Sequence, residues 1–228
     1  METDSDMTSP PPRPAWTVEQ LRALVLEGGD LPARLKGPTD APPVALSQAY
    51  EQHCRPLGQL LSGGAGHPRC LGYVAAAWSG GGDIAYTTVV IGSFPDGEAQ
   101  KVIDEGLRVL EHCRAYARVT MALSPFAAAG PLHMLAPAGS DDDDVVGVPS
   151  WYEPERVEVP SAGDFSAGIR LGIPGRPESR SALGHMLVRV GDFLLAFLHF
   201  DPLGQTRPMP ADDLVNAQIA RIRAVGST

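Results

Sequence analysis

Lysine is nearly missing from this 228-residue chain: of its 18 Lys+Arg, only Lys36 and Lys101 are lysine. With 27 Asp+Glu the formal net charge is −9. Such a balance argues against a nucleic-acid partner, which needs a Lys/Arg surface to release counterions. Arg codons are GC-rich and Lys codons AT-rich, so the bias, with 25 Gly and 22 Pro, marks a GC-rich coding sequence. Long apolar runs are also lacking. The longest, residues 193–200, is strand-sized and far short of the roughly 18–20 residues a membrane helix needs, so no membrane partner is expected. Cysteines are few: Cys54, Cys70 and Cys113 are odd in number and widely spaced, which excludes a disulfide scaffold and a CxxC metal site. What is present, 43% hydrophobic and 20% charged residues, belongs to a globular domain large enough to enclose a core.

The chain opens on Met1-Glu2-Thr3-Asp4-Ser5-Asp6 and Pro10-Pro11-Pro12-Arg13-Pro14, with neither the basic start nor the apolar stretch of a secretory signal. A cytoplasmic location is expected if Met1 is the native start, an extracytoplasmic one otherwise. Residues 1–14 read as a proline-rich tail and residues 15–228 as a single domain. Within it, 17–26 is a helix capped by Thr17, with Leu21, Leu24 and Val25 as its stripe. A second helix is expected over 46–61, broken near Pro56. Residues 71–78 and 84–93 read as an antiparallel hairpin, 95–114 as the clearest amphipathic helix, and 117–123 as a strand. Residues 124–155, with Asp141 to Asp144 and the cluster Trp151-Tyr152-Glu153, read as a long loop or lid. Strands follow at 156–159 and 165–173. A strong hairpin spans 183–190 and 193–200 around Gly191-Asp192, where glycine first suits a type II′ turn. Residues 212–225 close as a helix. Strands and helices in runs, without repeats, predict an α+β fold: a twisted antiparallel sheet packed with helices.

Several landmarks in order resemble one family. They are Asp30-Leu31-Pro32, Cys54-Arg55-Pro56-Leu57-Gly58-Gln59-Leu60-Leu61, the strand ending Thr87-Thr88-Val89-Val90-Ile91-Gly92-Ser93-Phe94, the helix ending in Cys113, and Val190-Gly191-Asp192. Together they are similar to the actinobacterial sensor-type domain found outside the membrane in PknH-like serine/threonine kinases and in sensor-domain lipoproteins. The likeness runs from about Trp16 to Val225 through short, degenerate motifs. It implies a sheet and helices around a ligand-binding cleft. It also implies a disulfide between Cys54 and Cys113; the residues by themselves leave open whether these two are bonded or remain buried thiols. The long insertion and the missing signal depart from that family.

No reaction motif is legible. Gly-x-Ser-x-Gly, Gly-Lys-Ser/Thr and Gly-x-Gly-x-x-Gly are all absent, so no cofactor is expected. With a two-residue turn at 191–192, His199 shares a face with Met186, Val188 and Val190 while His185 points to the other, so no metal is expected. The four aspartates read first as a solvated charge run. His199, beside Phe193, Leu195 and Phe197, reads first as a core histidine and second as an acid–base group. Tyr86, in line with Ile84, Thr88 and Val90, and Glu153 complete the candidate catalytic set. Trp151, Tyr152, Trp78 and Phe197 are candidate ligand-binding walls, with plain packing the first reading for Trp78. The expected function is binding of a bulky, largely apolar metabolite in a sheet–helix pocket, extended to cofactor-free cyclisation or isomerisation. The alternatives are a non-catalytic sensor or carrier and a protein-interaction module.

Overall fold

Residues 183–190 and 193–200 form the hairpin that their alternation predicts, and the sheet is built outward from it. The structure is a computed structural model that describes residues 15–33, 35–37, 44–49, 52–80, 86–113, 116–123, 150–172, 183–200 and 209–226. Within these, residues 18, 44–49, 80, 116–123, 150, 151 and 200 are described through their backbone. The elements in chain order are α1 (Val18–Ala23), β1 (Leu35–Lys36), β2 (Val44–Ala49), α2 (Arg55–Leu61), β3 (Gly72–Gly80), β4 (Tyr86–Ser93) and α3 (Glu98–Leu110). They continue with β5 (Tyr116–Leu123), β6 (Ser150–Val157), β7 (Phe165–Gly172), β8 (Leu183–Val190), β9 (Phe193–Phe200) and α4 (Asp212–Gly226). The nine strands among the described residues form one sheet in the order β1-β3-β4-β9-β8-β7-β6-β5-β2. Every neighbouring pair is antiparallel. This is the α+β architecture expected from the sequence.

The central hairpin sets the register. Val190 faces Phe193, and Gly191 turns at φ 56° while Asp192 keeps a negative φ, as a type II′ turn requires. The Gly191 N–H donates to the Asp164 carboxylate at 2.7 Å, tying this turn to the one before β7. Because side chains alternate, each strand feeds two cores. On one face Tyr73, Ala75, Val90, Ile169, Leu187, Leu194 and Ala196 pack against Leu57, Leu60 and Leu61 of α2 and Ala99, Val102 and Ile103 of α3. On the other, Val74, Ala76, Trp78, Val89, Ile91, Met186, Val188, Leu195 and Phe197 pack against Leu21 of α1 and Leu214, Val215, Ile219 and Ile222 of α4.

Local chemistry explains the helices. Thr17 accepts from the Gln20 N–H and Gln20 reaches back to the Thr17 N–H, a complete capping box at the start of α1. In α3, Gly106 lies against Leu60; a Cβ there would sit 2.5 Å from the Leu60 side chain, so the missing side chain lets α2 and α3 touch. A disulfide joins Cys54, at the start of α2, to Cys113, just beyond α3. That is the pairing the family resemblance implies.

Two expectations are corrected. Residues 46–61 are not one helix. Residues 44–49 are a strand paired, among the described residues, with β5, and the helix begins at Arg55 with Pro56 in its first turn, where a missing N–H costs nothing. Nor is 150–155 loop, and the strand expected at 156–159 starts earlier: β6 covers the Trp151-Tyr152-Glu153 cluster. Its residues 150–152 pair with β5 and 153–157 with β7, where Pro154 lies opposite Leu171. The rest of the expected lid, residues 124–149 with Asp141 to Asp144, lies outside the described residues, as does the expected tail, residues 1–14.

Candidate functional site

One end of the sheet gathers the ends of β3 and β7 and the starts of β4, β6 and β8, together with Phe200 of β9. Near that end, on the face covered by α1 and α4, one cross-strand row is polar. It runs Trp78↔Thr87, Thr87↔His199, His199↔Gly184, Gly184↔Arg170 and Arg170↔Glu155 across six strands. The row before it, Ala76, Val89, Phe197, Met186 and Gly168, is apolar.

His199 is half-buried, and its Nδ1 lies 2.9 Å from the Thr87 hydroxyl. A hydroxyl proton donated to Nδ1 leaves the ring proton on Nε2; in the other tautomer Thr87 accepts. Either way the buried hydroxyl fixes the ring plane. Trp78 and Phe197 flank this pair within the same apolar cluster, each 0% exposed. The Trp78 indole N–H donates to the Leu26 carbonyl at 3.3 Å, so it serves the packing that its sequence reading placed first.

The candidate catalytic set does not share a site. Tyr86 alternates with Thr87 and therefore points to the α2–α3 face, opposite His199. Glu153 is exposed and pairs with Gly172, three strands from His199, or ~14 Å at the usual strand spacing. Tyr152 packs, partly buried, against the α2–α3 cluster, and Trp151 pairs with Ala117 through its backbone, its side chain lying outside the described residues. His185, 1% exposed, sits on the α2–α3 side, as the turn register predicted. What sequence reading missed is Thr87 as the partner of His199, and Arg170. The available signal for Arg170 was a cation inside the otherwise uncharged strand 165–172.

Nucleophilic cysteine chemistry finds no support here. Cys70 is the free cysteine; burial pushes its thiol up to about 11 while its Sγ donates to the Gly72 carbonyl at 3.3 Å. Burial likewise raises the Tyr73 hydroxyl above its ordinary value.

These elements define an antiparallel α+β domain with helices on both faces of its sheet. No family model matches the chain, and no curated protein matches it. Among solved structures it is similar to the extracellular domain of PknH from Mycobacterium tuberculosis, with a TM-score of 0.48 and 8% identity over 94% of this chain and 99% of that one. A likeness at this level carries no functional conclusion, and the architecture above rests on this chain's own strand pairing.

Proposed function

We propose that this domain binds a bulky, largely apolar small molecule without converting it, as a sensor or carrier does. The site is the end of the sheet where the half-buried His199 meets Thr87, next to the fully packed Trp78 and Phe197. The observation that carries this reading is the 2.9 Å contact between Thr87 and His199, a fixed polar pair beside an apolar sheet face. Ligand sites combine an apolar lining with a few oriented polar groups in this way. Binding is favoured over conversion because Tyr86 and Glu153, the groups expected to share proton transfer with His199, lie on the other face and three strands away. The Cys54–Cys113 bond supports an oxidising compartment over the cytoplasm.

Native mass spectrometry after incubation with host extract tests the reading. The expected result is a retained small-molecule adduct that is released unaltered. His199→Ala, checked for an unchanged melting temperature, is expected to lower occupancy at least ~10-fold, the loss of one oriented polar contact in a partly dry site. A released molecule that differs from the one taken up would establish conversion instead. Absence of any adduct would refute the binding reading.

A further inference from the structure

We infer that the Cys54–Cys113 bond is a redox latch on the ribbon formed by β2 and β5, closing it in an oxidising compartment and letting it open in a reducing one. The pairs of this ribbon run from Val44↔Leu123 to Ala49↔Arg118, and the bonded cysteines lie five residues beyond that last pair on either side. The bond, with its Cα atoms 5.7 Å apart, therefore closes the mouth of the ladder in the ladder's own register. This ribbon is the part of the sheet most in need of such a tie. Strand β5 meets β6 through Tyr116, Ala117 and Arg118, so from Val119 to Leu123 its pairing partner among the described residues is β2. A two-stranded ribbon is marginal in water. Beside β2 lies α2, whose seven residues are too few for a helix to persist unaided. Cys54 precedes α2 and Cys113 follows α3, so one bond anchors both the short helix and the ribbon to the end of α3. With the bond in place, an opened ribbon re-pairs by closing five residues on each side; without it, the strands meet again across a sequence separation of more than 59. Loop-closure entropy makes that difference worth ~10-fold in the opening equilibrium. The switching step is thiol–disulfide exchange. A dithiol reductant attacks one sulfur, forms a mixed disulfide and then its own cyclic disulfide, and its two electrons and two protons leave both cysteines as thiols.

Amide hydrogen exchange of the full chain, read by mass spectrometry in water and in low urea, tests the latch. It compares the oxidised protein, the protein reduced with dithiothreitol, and the Cys54→Ser/Cys113→Ser variant. Both cysteines are 1% exposed, so the double variant carries the comparison if the reductant acts slowly, and the reduced wild type carries it if the variant folds poorly. In both bond-free forms the amides of residues 44–49 and 119–123 are expected to exchange at least ~10-fold faster. Their rates are expected to stay flat in low urea, as a local opening that exposes little surface requires. Amides of residues 186–189 and 194–197, in the central hairpin, are expected to remain the slower set in every form and to respond steeply to urea. Reoxidation of the reduced wild type is expected to restore slow exchange in the ribbon. Ribbon rates that do not change on losing the bond would overturn the latch. So would ribbon and hairpin amides merging into one urea-dependent rate, because the bond would then support the whole fold and not this ribbon.

Discussion

His67 stands between two opposed influences. Glu105, 3.6 Å from its Nε2, favours the charged ring, but burial outweighs it and holds the pKa below the ordinary histidine value. The neutral ring has a task, since its Nδ1 accepts the Arg69 N–H at 3.2 Å. The unfolded chain therefore takes up this proton first as pH falls below ~6.5. The contribution of His67 to stability is complete above that pH and is lost as pH falls through the lowered folded value. Urea midpoints measured from pH 7.5 to 5 are expected to fall more steeply for the wild type than for His67→Gln. Parallel slopes would show that this ring is not the group responsible.

Among the elements, α1 is the one least able to stand alone: six residues are too few for a helix to persist in water. It is held by side chains from elsewhere that satisfy its C-terminal carbonyls. Arg221 Nε donates to the Ala23 carbonyl at 2.9 Å and Gln218 Nε2 to that of Leu24 at 2.6 Å, while Gln218 Oε1 accepts the Leu26 N–H at 3.3 Å. Gln218 is 0% exposed, so Gln218→Leu strands two backbone groups in a dry interior. At ~1–3 kcal/mol for each, the expected loss is about 2–6 kcal/mol in urea unfolding. A loss below 1 kcal/mol would mean that water reaches the joint. The same elements show what a sequence can disclose. The capping box of α1, the amphipathic stripe of α3 and the hairpin of β8 and β9 rest on neighbours a few residues apart and were readable. Strand β2 was not, because Ala45, Leu46 and Gln48 favour a helix locally and only pairing with β5 overrides them. Strand β6 was hidden by Pro154 and its charges. For the site, His199's face followed from the turn, but its Thr87 partner, 112 residues away, depends on strand order, which local pattern does not encode.

At the scale of the molecule, the Cys54–Cys113 bond closes a loop with a sequence separation of 59 that includes β3, β4 and α3. On the chain-entropy account a loop of that size is worth ~4 kcal/mol, gained by restricting the unfolded chain. Thermal and urea unfolding with and without a phosphine reductant are expected to differ by about that amount, with the Cys54→Ser/Cys113→Ser double variant matching the reduced protein. Identical curves would show that the bond does not constrain the unfolded ensemble.

The clasp between α1 and α4 also has a meaning in time. Its two Gln218 contacts span 194 and 192 residues, so α1 leaves the ribosome long before its anchor exists. At ~5–20 residues per second that interval is on the order of ten seconds or more. Both faces of the sheet also wait for β8 and β9, and the face bearing His199 waits in addition for α4, the last element of the chain. The half of the protein that α1 and α4 cover is thus the last to close during synthesis.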